Sequence, residues 1–294
     1  MDINNCSLCP RKCGADRNIT EGFCGGGNSV KVARAALHFW EEPCLSGANG
    51  SGTVFFSGCS LKCCFCQNYK ISAENFGREI SSKRLAEIFL ELQENDAHNI
   101  NLVNPTHYIP WIIEALDIAK PKLKLPIVYN CGGYESVESL KMLEGYVDIY
   151  LPDLKYFNDD LSKKYSKADG YFDTATKAIL EMFRQVGEPL YDGEILKRGL
   201  IIRHLALPSH RDDSIKILEW IARNFKSDEI IFSLMSQYTP FFKSKDFAEI
   251  NRRISTFEYN KIISEAVSLG LEGYMQEKSS AKEEYTPAFD LTGI

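Results

Sequence analysis

Three cysteines, Cys59, Cys63 and Cys66, stand in the run from Ser57 to Asn68 with the spacing C-x3-C-x2-C, directly after the strand-like segment Thr53-Val-Phe-Phe56. A loop this tight brings three thiolates onto three irons of a [4Fe–4S] cube, whereas a cube held wholly by protein takes four cysteines. The fourth iron is then open to another ligand. Zinc is the competing reading, but zinc sites usually pair C-x2-C knuckles and close with a further Cys or His, and none lies beside this loop. Cys64 breaks the spacing if it replaces Cys63 and reads as a bystander.

A second group, Cys6-x2-Cys9-x3-Cys13-x10-Cys24, offers four thiolates in a glycine-rich stretch too small to fold well alone. Structural zinc and an auxiliary iron–sulfur cluster take the same ligands, so both stay open. Cys44, after Pro43, could stand in for one of the four. Met1 to Cys6 carries neither a basic end nor an apolar run, which gives the expectation of a cytoplasmic protein without a secretory signal. In that compartment ten cysteines point to metal ligation rather than disulfides.

The 294 residues carry a net charge of -6, with 34 basic and 40 acidic side chains scattered along the chain. That balance argues against nucleic acid as a partner. Apolar runs such as Ile230 to Met235 are too short to span a bilayer, so no membrane partner is expected.

The cysteine loop needs a frame to hold it. From Thr53 onward, strand-like runs at 53–57, 99–103, 126–130, 147–151, 199–205 and 229–236 alternate with helical patterns at 82–94, 109–119, 136–143, 173–186 and 212–225. This alternation predicts an α/β fold with a parallel sheet, a partial (β/α)6 barrel, preceded by a small cysteine-rich lobe. The expected division is a metal lobe over 1–50, a barrel over 51–277 and a mostly polar tail over 278–294. A capping box at Ser255-Thr-Phe-Glu258 opens a last helix to about Leu269, stopped by Gly270. Barrels of parallel strands gather chemistry at the strands' C-terminal ends. Those ends read Asn104-Pro-Thr-His107, Asn130-Cys-Gly-Gly133, Pro152-Asp-Leu-Lys155, Arg203-His-Leu205 and Met235-Ser-Gln-Tyr238.

The cysteine loop, with an open iron to which S-adenosylmethionine (SAM) can chelate by its amino and carboxylate groups, resembles the radical SAM enzymes. Asp153-Leu-Lys155 and Arg203-His204 resemble the activating enzymes of glycyl radical proteins. The segments from Cys6 to Gly14, His38 to Pro43 and Gly50 to Cys59 resemble a pyruvate formate-lyase activating enzyme-like branch. That resemblance implies cluster ligation by Cys59, Cys63 and Cys66, and Phe65 against the SAM adenine. It further implies Asn130 at the activases' Thr-Asn-Gly turn, Asp153 and Lys155 near the SAM carboxylate, and Arg203 near the ribose. Activases end the second strand in Gly-Gly-Glu to hold the SAM amino group; here Asn104 or Thr106 would accept that hydrogen bond.

His107 is expected at the active face as a proton shuttle or substrate contact. His38 would hydrogen-bond Glu41 or Glu42 near the substrate mouth, and Cys131 would lie near SAM. Flavodoxin or ferredoxin is the expected reductant and a glycyl radical enzyme the expected protein substrate. A radical SAM enzyme acting on a small molecule or another peptide, and a non-catalytic iron–sulfur electron-transfer protein, are the alternatives.

Overall fold

The computed structural model of the chain describes residues 3–276 and 286–294. Its strands are β1 (Val30–His38), β2 (Ser51–Phe56), β3 (Arg78–Ile80), β4 (Ile100–Val103), β5 (Ile127–Cys131), β6 (Ile149–Pro152), β7 (Leu190–Asp192), β8 (Ile195–Leu205), β9 (Ile231–Met235) and β10 (Gly273–Met275). They form one sheet in the order β10-β9-β8-β6-β5-β4-β2-β1-β3, with β7 folded back as a hairpin on β8. From β2 to β10 along that path every neighbour is parallel, while β1 and β3 form an antiparallel edge.

The six strands read from the sequence are all present, and helices cover the predicted stretches. Both faces of the central strands are buried, which is why β2 and β5 read as continuous apolar or small-residue runs instead of alternating ones. Helix Ser82–Glu94 buries Leu85, Ala86, Ile88, Phe89 and Leu92 on one stripe, and the Ser81 side chain caps its first turn. Both limbs of the capping box at Ser255 and Glu258 form ahead of helix Thr256–Ser268.

Val128, Ile149, Leu151, Ile201 and Ile231 face the inside of the curved sheet, where Cys44 and Leu45 of a short helix, Pro43–Ser46, pack against them. Asn99 ties this plug down, donating to Leu45 O at 2.8 Å and accepting from Ser51 Oγ at 2.6 Å. Cys44 is therefore a buried core residue, with its thiol pushed up to about 11 by burial, not a spare ligand for the lobe.

Two boundaries differ from the sequence reading. The expected 1–50 lobe contains β1 and the plug, both integral to the sheet, so only the residues before Val30 lie outside it. The end of the chain is no free tail over its described part: Leu291 N donates to Ala33 O, Ala35 N donates to Thr292 O, and Phe289 is buried against Phe55. A mostly polar composition hid the aromatic anchor Phe289. The 277/278 boundary and residues 278–285 lie outside the described residues.

Candidate active site at the strand ends

The chain leaves β2 at Ser57 and turns at Gly58, whose φ of +87° and 2.4 Å approach of a would-be Cβ to Cys24 O leave room for no side chain. In the loop that follows, the sulfurs of Cys59, Cys63 and Cys66 each meet a donor. Ser166 Oγ donates to Cys63 Sγ at 2.9 Å, Ser72 Oγ to Cys66 Sγ at 3.2 Å, and Leu61 N to Cys59 Sγ at 3.3 Å. Such bonds favour thiolate over thiol and tune the potential of a cluster. Burial nevertheless raises Cys63 and pushes Cys66 up to about 12, so metal binding must displace their protons. The donor set fits a three-cysteine cluster.

Phe65 is held by edge contacts with Tyr156, Tyr165 and Tyr238, and it lines a cavity of about 240 Å³ together with Cys63 and Cys66. Asn130, Asp153, Lys155, Arg203 and Glu41 line the same cavity. Arg203 is the hub: Nε donates to Asp153 Oδ1 at 2.8 Å, Nη2 to Asn130 Oδ1 at 2.6 Å, and Nη1 to Glu41 Oε2 at 3.4 Å. Lys155 Nζ holds the other Asp153 oxygen at 2.5 Å. Burial alone would raise Asp153, but Arg203 and then Lys155 outweigh it and keep the carboxyl below its ordinary value. For Glu41, burial wins over Arg203 and the carboxyl is raised.

Backbone placement explains why four strands can converge this way. Gly133 has φ +80° and passes so near Asp153 O that a Cβ would stand 2.3 Å from it. The Tyr171 hydroxyl accepts from Lys155 N at 3.0 Å and lies 2.8 Å from both Gly132 O and Asp153 O, pinning the two loops together.

Other expected site residues stand elsewhere. His107 is 1% exposed and turned behind the cluster loop, its Nε2 2.7 Å from Ser57 O, and burial lowers it to about 4. It is a packed, neutral imidazole that does not line the cavity, which corrects the shuttle reading. Thr106 is equally buried and donates to Glu135 Oε1 at 2.9 Å. Asn104, at φ +60°, donates through Nδ2 to Gly58 O. Neither side chain is among those lining the cavity. Cys131 follows Asn130 on β5, and the period of two turns it away, among Tyr129 and the helix layer. His38 does line the cavity, but as a neutral ring edge-on to Phe55, lowered to about 4 by burial.

Glu41, which the sequence placed only as a partner of His38, lines the cavity and meets Arg203. A signal existed: Glu41-Glu42 is a charged pair between Trp40 and Pro43 that the plug carries into the sheet. Through Trp40, Glu41, Arg203, Met235 and Gln237 the cavity adjoins a larger one of about 880 Å³. Pro287, from the segment read as a tail, closes part of the smaller cavity's wall.

The quartet Cys6, Cys9, Cys13 and Cys24 lies in an irregular lobe docked by Ser136 and Ser139, both donating to Leu8 O, and by Arg11 Nε donating to Ser60 O at 2.8 Å. A Cβ on Gly22 would stand 3.4 Å from both Cys13 Sγ and Cys24 Sγ. Among the described residues no three Cys, His, Asp or Glu side chains are drawn in around a single ion. Nor is any helix there long and apolar enough to cross a membrane.

The family model of the Radical SAM superfamily matches residues 53–221. An uncharacterized protein of Methanocaldococcus jannaschii is 32% identical over 280 residues, covering 92% of this chain and 76% of that protein. Methylornithine synthase shares the fold with a TM-score of 0.50 at 16% identity, over 73% of this chain and 63% of its own. The FeFe-hydrogenase maturase of Carboxydothermus hydrogenoformans does so with a TM-score of 0.51 at 12% identity, over 80% of this chain and 56% of its own. The chain thus spans less than two thirds of either solved structure.

Proposed function

Because this chain belongs to the radical SAM superfamily, we propose that it cleaves SAM reductively at a [4Fe–4S] cluster that Cys59, Cys63 and Cys66 would hold, and takes its hydrogen atom from a glycine of a glycyl radical protein. When bound, the cluster and SAM supply a 5′-deoxyadenosyl radical for that abstraction. The observation that carries the reading is one cavity lined both by Cys63, Phe65 and Cys66 and by the Arg203 network.

Within it, Phe65 offers an apolar face for an adenine, fixed by its three tyrosine neighbours. Lys155 and Asp153 orient a carboxylate and an amino group, and Asn130 with Arg203 takes ribose hydroxyls. Wide contact with the larger cavity gives a substrate a way to the reacting atoms. A reduced flavodoxin or ferredoxin supplies the electron.

A second reading, a radical SAM enzyme acting on a small molecule or a different peptide, is favoured by one observation. Asn104 and Thr106, where activases have Gly-Gly-Glu, do not line the cavity. Anaerobic reconstitution, reduction and addition of SAM test the shared chemistry: 5′-deoxyadenosine forms with wild type and not with Cys63→Ala. A glycyl radical spectrum on a co-incubated glycyl radical protein supports the first reading; product without that radical supports the second. A reduced cluster with no product under any condition returns the electron-transfer alternative.

A further inference from the structure

Arg17 is 2% exposed, yet two of its three guanidinium nitrogens, Nε and Nη2, have no hydrogen-bond partner among the described residues. Nη1 donates to His107 O at 2.5 Å, and the guanidinium lies 4.7 Å over the Trp111 ring and 5.6 Å over Tyr108. No ion pair to it is found there. A guanidinium is always charged, and a charge buried without a counter-charge is strongly destabilising. Its Nη2 edge rests on Gly26, where a Cβ would stand 2.5 Å away, and Gly26 N donates to Cys24 Sγ at 3.4 Å. The missing negative charge therefore belongs to the Cys24 side, where four thiolates on one centre would supply it.

The lobe also meets the first cysteine loop directly. Cys59 N donates to Cys24 O at 2.9 Å, so one hydrogen bond joins a quartet cysteine to a triad cysteine through their backbones. A structural zinc ion gains nothing from that contact, since zinc carries no redox chemistry. An electron carrier does.

We propose that Cys6, Cys9, Cys13 and Cys24 hold a second iron–sulfur cluster, with Arg17 as its counter-ion, that relays one electron across the Cys24–Cys59 contact. The electron enters from a reduced low-potential flavin or iron–sulfur carrier, which is oxidised by one electron. It leaves toward the Cys59, Cys63 and Cys66 sulfurs; no bond breaks and no proton moves in the relay. The relay rests on the radical SAM reading, but the identity of the metal does not.

The full chain carrying Cys59→Ala, Cys63→Ala and Cys66→Ala together, reconstituted anaerobically with ferrous iron, sulfide and equimolar zinc, tests the metal without any SAM chemistry. The expected result is about four irons and four sulfides per chain, with a reducible paramagnetic signal. Zinc in their place, or no metal in a folded chain, overturns the proposal. In the wild type background, Arg17→Met should lower the midpoint potential of the quartet centre and Arg17→Lys should restore it; an unmoved potential removes Arg17 as counter-ion. Cys6→Ala with Cys9→Ala should slow reduction of the triad cluster by a reduced protein donor at least tenfold while triad iron is retained. An unchanged rate would overturn the relay alone.

Discussion

The Arg203 guanidinium bonds Asp153 through Nε at 2.8 Å, tying the end of β8 to the end of β6 by a nearly buried ion pair. Neighbouring strands meet there in parallel register, as Leu154 N donating to Arg203 O confirms. The same fork reaches Asn130 on β5, so a single side chain sets the geometry of three strand ends. A lysine could carry the charge but not the fork.

Arg203→Met leaves Asp153 in a buried site with only Lys155 beside it. The expected loss of stability is about 3 kcal/mol or more, in the range for stripping one partner from a buried pair. SAM affinity should fall at least tenfold, and Arg203→Lys should recover part of the stability but little of the affinity. Denaturant unfolding and equilibrium dialysis of anaerobic protein read the two effects separately. Unaltered SAM binding in a folded Arg203→Met chain would remove Arg203 from the site.

Ser166 Oγ serves both Cys63 Sγ and the Tyr156 hydroxyl, the latter at 2.7 Å. Ser166→Ala should therefore cost about 1 kcal/mol of stability. It should also lower the midpoint potential of the triad cluster, because a donor to a ligand sulfur favours the more negative, reduced state. A redox titration followed by paramagnetic resonance checks the direction; a rise in potential would contradict the assigned hydrogen bond.

Much of this was legible in the residues. The strand–helix alternation after Thr53 marks every central strand, because strands buried on both faces must be apolar along their length. Asn130, Asp153, Lys155 and Arg203 were readable as polar ends of such strands, and the structure brings them together. β1 was not legible: Arg34 and Lys31 interrupt its apolar pattern, and its burial comes from the antiparallel edge and the returning C-terminal segment. His107 misled because residue type and position suggest chemistry, while its 3-10 turn directs the ring inward to Ser57 O. Arg17 could not have been singled out, since an orphan charge shows only in three dimensions.

Glu135 is buried beneath β5, where the Thr106 and Tyr129 hydroxyls donate to it, and burial lifts its carboxyl from 4.5 to about 7. The folded chain thus holds a proton that the unfolded chain has released. Stability should fall as pH rises from about 4.5 to about 7 and level off above, a loss of about 3 kcal/mol in all. Glu135→Gln should abolish this slope and leave the variant more stable than wild type above pH 7. Unfolding free energies measured at pH 5, 6, 7 and 8 on the cluster-loaded chain decide it; parallel profiles for both proteins would refute the assignment.

Gly58→Ala tests the junction between the two cysteine loops, and Gly193 supplies a control. Both glycines have positive φ, +87° and +60°, so alanine is strained at each by about 1 to 2 kcal/mol. Gly193, in the β7–β8 turn, has open space around it, whereas a Cβ on Gly58 would meet Cys24 O at 2.4 Å and His107 Nε2 at 3.0 Å. Backbone oxygen cannot step aside as a flexible side chain can. Gly58→Ala should therefore push the lobe off the cluster loop and break the Cys59 N to Cys24 O bond. Its loss of stability should exceed that of Gly193→Ala by about 2 kcal/mol or more, and limited proteolysis should cut the chain before Val30. Equal losses at the two glycines would mean that the loops do not need their close approach, and the lobe would then be a loosely attached appendage.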